Sequence, residues 1–309
     1  MNSATNTMVR SRGPWTLAFA RLRHDRAALA AGVTLVGVLL LAVLAPVIAR
    51  LVGHGPGDQF LDVGLSSSGI PIGPNRTFLL GTDSLGRDVL VRIAYGTRVS
   101  LLVGVLASAL AVLVGTLVGI VAGWYGGLVD RALSRLMDVV LSLPFLVFAL
   151  ALVAVVGPSL TISVTVIAFF TWASVGRVVR AQALSIRELE YVQAARTLGA
   201  SHARIMFVEI LPNVTASVIV YTTLLIPGAI TGEATLSFLG LSVVPPTPSW
   251  GNMLADAMAY YRVAWWFVFF PGAALLITTV AFNVLGDSVR DALDPRRDTA
   301  SRGSQEDAA

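Results

Sequence analysis

Six apolar runs dominate this sequence of 309 residues. Each run approaches or exceeds the roughly 20 residues that a helix needs to cross the hydrocarbon core of a membrane. Charged residues make up only 13% of the chain, whereas soluble domains carry about 25%. Because lipid offers no partner to a free backbone group, these runs predict an all-α integral membrane protein with six transmembrane helices. The predicted spans are 27–51, 99–122, 139–156, 160–179, 214–240 and 264–285.

The arginines indicate how the chain is threaded through the membrane. Short flanks rich in arginine favour the cytoplasmic side. Placing the N-terminus inside puts most arginines on that side, including Arg21, Arg131, Arg180 and Arg290, so we expect both termini in the cytoplasm. The first run follows basic residues, as in a secretion signal. It is longer than the roughly 7–15 apolar residues of a signal core, so we expect it to remain as a span.

This threading divides the chain into five segments. They are a cytoplasmic tail at 1–26, the first transmembrane helix at 27–51, an extracytoplasmic loop at 52–98, a transmembrane core at 99–290 and a cytoplasmic tail at 291–309. Only Gly157, Pro158 and Ser159 separate the third and fourth runs, which predicts a helical hairpin. The polar stretch after Asp294 is expected to be disordered.

Residue types that are missing from the chain exclude several kinds of chemistry. All 22 basic residues other than histidine are arginine, so a phosphate-binding P-loop or a Schiff-base lysine cannot be built. The chain has no cysteine, which removes thiolate sites. The expected threading places His24 and His202 inside and His54 outside, so they cannot form one site. We therefore expect a protein that is not an enzyme and that binds no metal or cofactor.

A charged stretch at residues 186–213, here called the 186–213 loop, separates the fourth and fifth runs. We expect a helix from about residue 186 that ends at Gly199 in the left-handed conformation. A second helix is expected to be capped by Ser201 and to stop before Pro212. Ala194 and Ala195 lie one turn before the glycine, where short side chains would let another protein approach the backbone. A DNA-binding helix-turn-helix is disfavoured between two spans, and a merely solvated loop is the remaining alternative.

The same residues carry a resemblance to a known loop. The pattern Gln193-Ala-Ala, Gly199 and Glu209-Ile-Leu-Pro212 resembles the cytoplasmic "EAA" loop of ABC importer permeases, which inserts a coupling helix into a cleft on an ATPase subunit. Gln193 stands where that pattern has Glu, and Glu209 where it has Ile, which leaves their individual contacts open. The resemblance implies these ATPase-coupling residues: Gln193, Ala194, Ala195, Arg196, Gly199, Ala200, Ser201, Arg204, Glu209, Leu211 and Pro212.

More of the chain is similar to one branch, the dipeptide, oligopeptide and nickel class of these permeases. The motifs that carry this similarity are Gly81-Thr-Asp-Ser-Leu-Gly-Arg-Asp88, Leu198-Gly-Ala-Ser201, Glu233-Ala-Thr-Leu-Ser-Phe-Leu-Gly240, Pro245-Pro-Thr-Pro-Ser-Trp-Gly251 and Gly286-Asp-Ser-Val-Arg-Asp-Ala-Leu-Asp-Pro-Arg296. They follow one another in the family's order from about residue 78 to residue 296.

The resemblance implies a permease subunit in a bacterial inner membrane that forms half of a path for short peptides, nickel or other small solutes. The implied partners are a second, homologous permease, two ABC ATPases that hold ATP and magnesium, and an extracytoplasmic substrate-binding protein. No nucleic acid is expected as a partner. The alternative is a secondary transporter or channel that works without ATPase subunits.

Three further features have two interpretations each. Asp83 and Asp88 could hold a cation, but a helix cap by Asp83 or Ser84 with an Arg87–Asp88 pair is favoured. Glu233, the acid placed deepest in any run, either faces the transport path as part of a gate or accepts structural hydrogen bonds. Small residues four apart form a stripe that packs inside the subunit or, less favoured, against another subunit. The stripe comprises Ala107, Ala111, Gly115, Gly119 and Gly123.

Overall fold

The computed structural model describes residues 20–293, and these residues form helices and loops without a β-sheet. The predicted tails before residue 20 and after residue 293, including the polar stretch from Asp294, lie outside the described residues. The main helices are α1 (Arg26–Val52), α2 (Val89–Tyr125), α3 (Gly127–Ser142), α4 (Phe145–Val156), α5 (Leu160–Arg187), α6 (Glu190–Thr197), α7 (His202–Phe238), α8 (Trp250–Ala257) and α9 (Trp265–Leu293).

Five of these helices are long and apolar enough to cross a membrane, namely α1, α2, α5, α7 and α9. Helices α3 and α4 together would make a sixth span, but the chain bends by 83° between them. The prediction of one continuous helix over 139–156 is therefore wrong. Pro144 is the cause, because a residue before proline avoids the helical region, and Leu143 is extended with ψ 132°.

Helix α2 begins at Val89, well before the apolar run that starts near residue 99. The carboxylate of Asp88 caps it by accepting hydrogen bonds from the backbone N–H groups of Leu90 and Val91, so the predicted cap by Asp83 or Ser84 is wrong. Hydropathy missed this first part of the helix because it carries charged residues. Arg92 is buried beside Asp83, whereas Arg98 is exposed and bonds to backbone carbonyls of α1.

Arg98 shows how one such charge is accommodated. Its Nε donates to the carbonyl of Ala42 at 2.6 Å, in the middle of α1. That carbonyl would normally bond to the N–H of the residue four positions later, but this residue is Pro46, which has none. Arg98 therefore satisfies a carbonyl that the proline leaves free and joins α2 to α1.

The most extensive helix–helix contact in the bundle joins α2 to α5. A Cβ atom added to Gly115, Gly119 or Gly123 would lie 2.6–2.7 Å from backbone oxygen or side-chain carbon of α5. Ala107 and Ala111, which precede these glycines in the same stripe, are fully buried. The structure thus places the small-residue stripe against α5 of the same chain, where it allows two backbones to approach closely.

Candidate functional site

The 186–213 loop folds onto one end of the α2–α5 pair. Val192 is the buried residue of α6, and it packs with Ile205 and Ile210 against the ends of the long helices. The opposite side of α6 is open: Leu198, which follows its last turn, is 87% exposed. A short helix is therefore anchored on one face and presents an apolar side chain on the other.

Gly199 ends α6 as the sequence indicated. Its φ is +82°, a conformation that glycine adopts without strain. The N–H of Ala200 bonds to the carbonyl of Ala195, and the N–H of Gly199 bonds to that of Arg196, both at 3.0 Å. These two bonds define a Schellman motif. Ser201 then caps the next helix, because its Oγ accepts a hydrogen bond from the N–H of Arg204 at 3.3 Å.

The rest of the loop differs from the prediction at both ends. Helix α6 begins at Glu190 rather than near 186, because Leu189 is extended with ψ 143°. The second helix does not stop before Pro212. It passes through a π-helical stretch, Ile205–Ile210, and continues to Phe238. The side chain of Asn213 donates to the carbonyl of Glu209 at 2.6 Å, in the turn that contains this proline.

The structure brings the predicted coupling residues together around this turn. The exposed members are Ala194, Arg196, Gly199, Ser201, Arg204 and Pro212, and the partly buried members are Gln193, Ala195, Ala200, Glu209 and Leu211. Gln193, whose contact was left open, points inward: its Nε2 donates to the carbonyl of Arg187 at 2.9 Å. The carbonyl of Glu209 accepts from Asn213, which also donates to the hydroxyl of Tyr191 at 3.0 Å.

Sequence reasoning missed four residues that hold the loop against α2. Trp124 donates its Nε1–H to Nδ1 of His202 at 3.1 Å, and the ring of Tyr125 lies 5.5 Å from the same imidazole. Arg187 reaches across to the end of α2. These side chains line a cleft of about 340 Å³ beside α6. The sequence signal that could have identified them is the presence of aromatic and basic residues at the ends of two helices. The glycine stripe brings these two helices together.

Glu233 lies in a hydroxyl network and is fully buried. Its carboxylate accepts hydrogen bonds from Ser100 at 2.9 Å and from Ser237 at 2.8 Å. Ser249 in turn donates to Ser237 at 2.9 Å. The network joins α2, α7 and the start of α8, which is the arrangement that the structural interpretation of Glu233 requires.

An ion-pair cluster lies at the opposite end of α2 from the loop. Arg87 donates to Asp83 at 2.6 Å, and Arg92 lies 3.1 Å from the same carboxylate. Asp88 instead contacts Nδ1 of His54 at 2.8 Å, so the predicted Arg87–Asp88 pair is wrong. Asp83 turns back towards Arg87 because its carboxylate also accepts the backbone N–H of that residue at 2.9 Å. Within the described residues, no group of three or more acids and histidines is arranged to hold a metal ion.

Asp256 closes this cluster on its more exposed side. Its carboxylate lies 3.5 Å from Arg87, and its side chain is 39% exposed. Burial raises the pKa of Asp256 from its ordinary value, although Arg87 and Arg92 act in the opposite direction. The long contact to Arg87 therefore does not make up for the water that this carboxylate loses. Asp83 is the central acid of the cluster and Asp256 a peripheral one.

Comparison with known proteins extends over nearly the whole chain. Residues 115–299 match the family described as binding-protein-dependent transport system inner membrane component, and residues 13–64 match the N-terminal transmembrane domain of oligopeptide transport permease C. The inward-facing MetNI methionine ABC transporter shares the fold, with a TM-score of 0.53 and 15% identity over 66% of this chain and 96% of that one.

Three curated relatives are similar along almost their full length. The di/tripeptide permease DppC of Pseudomonas aeruginosa is 41% identical, covering 90% of this chain and 91% of the relative. The oligopeptide permease OppC of Escherichia coli K12 is 41% identical, with 96% and 95% covered. The dipeptide permease DppC of the same organism is 44% identical, with 89% and 90% covered. This chain, an integral inner-membrane protein, therefore belongs to the family of binding-protein-dependent transport system inner membrane components.

Proposed function

We propose that the chain is one of two permease subunits of an ATP-driven importer for short peptides, which an extracytoplasmic binding protein delivers. The observation that carries this proposal is identity of 41–44% to peptide permeases over about nine-tenths of the chain or more. The two permeases together enclose the transport path. ATP and magnesium are held by two separate ATPase subunits, and this chain binds no cofactor.

The proposed docking surface for the ATPase is the exposed side of α6 and the turn after it. Three features support this assignment. Leu198 presents an exposed apolar side chain, Ala194 is exposed and small, and Arg196 and Arg204 add exposed positive charges. Apolar groups with arginine at their edge are typical of interface centres. The buried side of α6 rests on Val192, so a push on α6 is carried to the long helices.

This proposal also fixes the orientation of the chain. The 186–213 loop and both termini face the cytoplasm. The ion-pair cluster around Asp83 faces outside, as does the segment 245–249, which precedes α8. Both outer regions are then within reach of the binding protein. Crosslinks from residue 256 or residue 247 to that protein in a working complex support this arrangement. Protection of the 186–213 loop from protease added at the cytoplasmic side, in the absence of ATPases, overturns it.

Reconstitution tests the function directly. Vesicles that contain this permease, its partner permease and the two ATPases are given the binding protein loaded with radiolabelled trialanine. We expect uptake only when ATP is supplied on the cytoplasmic side of the vesicle membrane and the binding protein is present on the other side. A nickel chelate offered as a competitor distinguishes the two substrate classes of the family. Accumulation of peptide by vesicles that hold this chain alone would instead favour the secondary-transporter alternative.

A further inference from the structure

Arg187 occupies the junction between three parts of the molecule. It is the last residue of α5, and its Nη1 donates to the carbonyls of Gly123 and Trp124 at 3.2 and 3.4 Å. These carbonyls belong to the last turn of α2, where no further N–H groups of the helix are available. A positive charge is also favoured there by the helix dipole. Arg187 thus joins the ends of α2 and α5.

The backbone of the same residue holds α6. The carbonyl of Arg187 lies in the final turn of α5 and accepts the amide N–H of Gln193 at 2.9 Å. An ionised glutamate has no hydrogen to donate and could not make this bond. This contact explains why glutamine is suited to position 193, where the related pattern has Glu. Glu188 completes the junction, with its Oε1 2.9 Å from Nη2 of Arg187.

The end of α2 leaves room for the guanidinium of Arg187. A Cβ added to Gly126 would lie 2.9 Å from Nη1 of Arg187, so the glycine at the end of α2 leaves the room that the arginine needs. The Arg187 side chain is 27% exposed, so water screens it only in part. A lysine could reach the same carbonyls, but as a single point charge rather than a planar fork.

We propose that Arg187 is a positioning residue that ties α6 to the end of α2, so that a displacement of α6 is passed to α2 through this junction. The tie itself requires no partner protein. Its role in transport rests on the proposed docking of an ATPase on α6. The contact between α6 and α2 and its role in transport therefore need separate experiments.

The tie is tested by the distance between α2 and α6 in the isolated permease. The chain contains no cysteine, so spin labels can be placed at L117C on α2 and L198C beside α6, both at exposed positions. We expect one narrow distance distribution in the otherwise unchanged chain and a clearly broader or shifted one with Arg187→Met. Arg187→Lys should lie between them. Arg135→Met, at a side chain that is 86% exposed, is the matched control and should change nothing. An unchanged distribution in folded Arg187→Met overturns the proposal.

The role in transport is tested by the number of peptides taken up per ATP hydrolysed, with trialanine as the probe. We expect Arg187→Met complexes to contain normal amounts of ATPase and to hydrolyse ATP, with the ratio lowered by about fivefold or more, as for typical coupling between sites. Gln193→Glu should lower the ratio in the same direction. Parallel loss of assembly, hydrolysis and uptake would indicate a role in folding alone and contradict the proposal. Failure of the unchanged chain to bind ATPases would refute the proposed function. The contact between Arg187 and α2 would then be judged from the distance measurement alone.

Discussion

At the scale of single residues, the ion-pair cluster contains two acids in contrasting environments. Asp83 is fully buried and contacts two guanidinium groups and two backbone N–H groups. Asp256 makes one long contact to Arg87 and is partly open to water. Removing one partner of a buried ion pair leaves an uncompensated charge, whereas an exposed pair contributes little. The two acids should therefore respond differently to the same substitution.

We expect Asp83→Asn to lower the free energy of unfolding by about 3–5 kcal/mol, because Arg87 and Arg92 would lose their shared carboxylate. Asp256→Asn should raise the free energy of unfolding slightly at neutral pH. The raised pKa of Asp256 means that the folded state holds its proton more tightly, so stability falls as the pH rises from the ordinary value to the raised one. Thermal unfolding of the purified protein in detergent measures both. Equal loss in the two variants would contradict this division of roles.

Glu233 allows a test of the two interpretations that its sequence position left open. Glutamine can still accept from one serine and donate to another, so Glu233→Gln should keep both the network and peptide uptake. Glu233→Leu leaves the hydroxyls of Ser100 and Ser237 without their acceptor and should cost about 1–3 kcal/mol. Uptake in vesicles and thermal stability separate the outcomes. Normal assembly with lost uptake in Glu233→Gln would instead indicate a gate that needs the ionisable group.

At the scale of helices, glycine has opposite effects at two places in the bundle. A Cβ on Gly119 of α2 would lie 2.7 Å from the carbonyl oxygen of Gly176 in α5. A Cβ on Gly37 of α1 would meet nothing within 4 Å. The glycine in α2 is thus required by close packing, while the one in α1 only lowers helix propensity.

We expect Gly119→Ala to destabilise the protein by about 1–3 kcal/mol, because two tightly packed backbones must separate. Gly37→Ala serves as the control and should be neutral or stabilising, by up to about 1 kcal/mol, since alanine is the better helix former. The amount of folded protein after heating, measured by size-exclusion chromatography, reports both changes. An equal change in thermal stability in the two variants would show that the glycine stripe is not needed for the packing of α2 against α5.

The same elements show what the sequence could and could not predict. Apolar length, Gly199 and Ser201 are local signals, so the long helices and the turn after α6 were predicted. The bend at Pro144 was missed although proline is itself a local signal, because the apolar run continues on both sides of it. The continuous helix through Pro212 was missed because no local pattern indicates the π-helical stretch that precedes the proline. The early start of α2 was missed for a similar reason. Arg92 and Arg98 are tolerated there only through contacts with distant parts of the chain.

At the scale of the whole molecule, α2 connects its two polar ends. Its 37 residues extend for about 55 Å at 1.5 Å per residue. At one end Arg92 contacts Asp83 and Asp88 contacts His54, while Trp124 contacts His202 at the other. Close packing on α5 stiffens the rod between them. One continuous helix thus joins the 186–213 loop to the ion-pair cluster, without a loop between them.

This continuity makes the α6 surface sensitive to bulk, and we expect Ala195→Trp to uncouple ATP hydrolysis from peptide uptake while the protein still inserts. The indole would hold the ATPase away from α6, so nucleotide binding could no longer favour one arrangement of the long helices over the other. Gly199→Pro should act alike, because proline cannot adopt the φ of +82° on which the turn depends. Ala132→Trp, on the exposed face of α3, is the control for the added bulk and should behave like the unchanged chain. Peptide-stimulated ATP hydrolysis and uptake are measured in the same vesicles. Stimulation that is unchanged in Ala195→Trp would remove α6 from the path between nucleotide and transport.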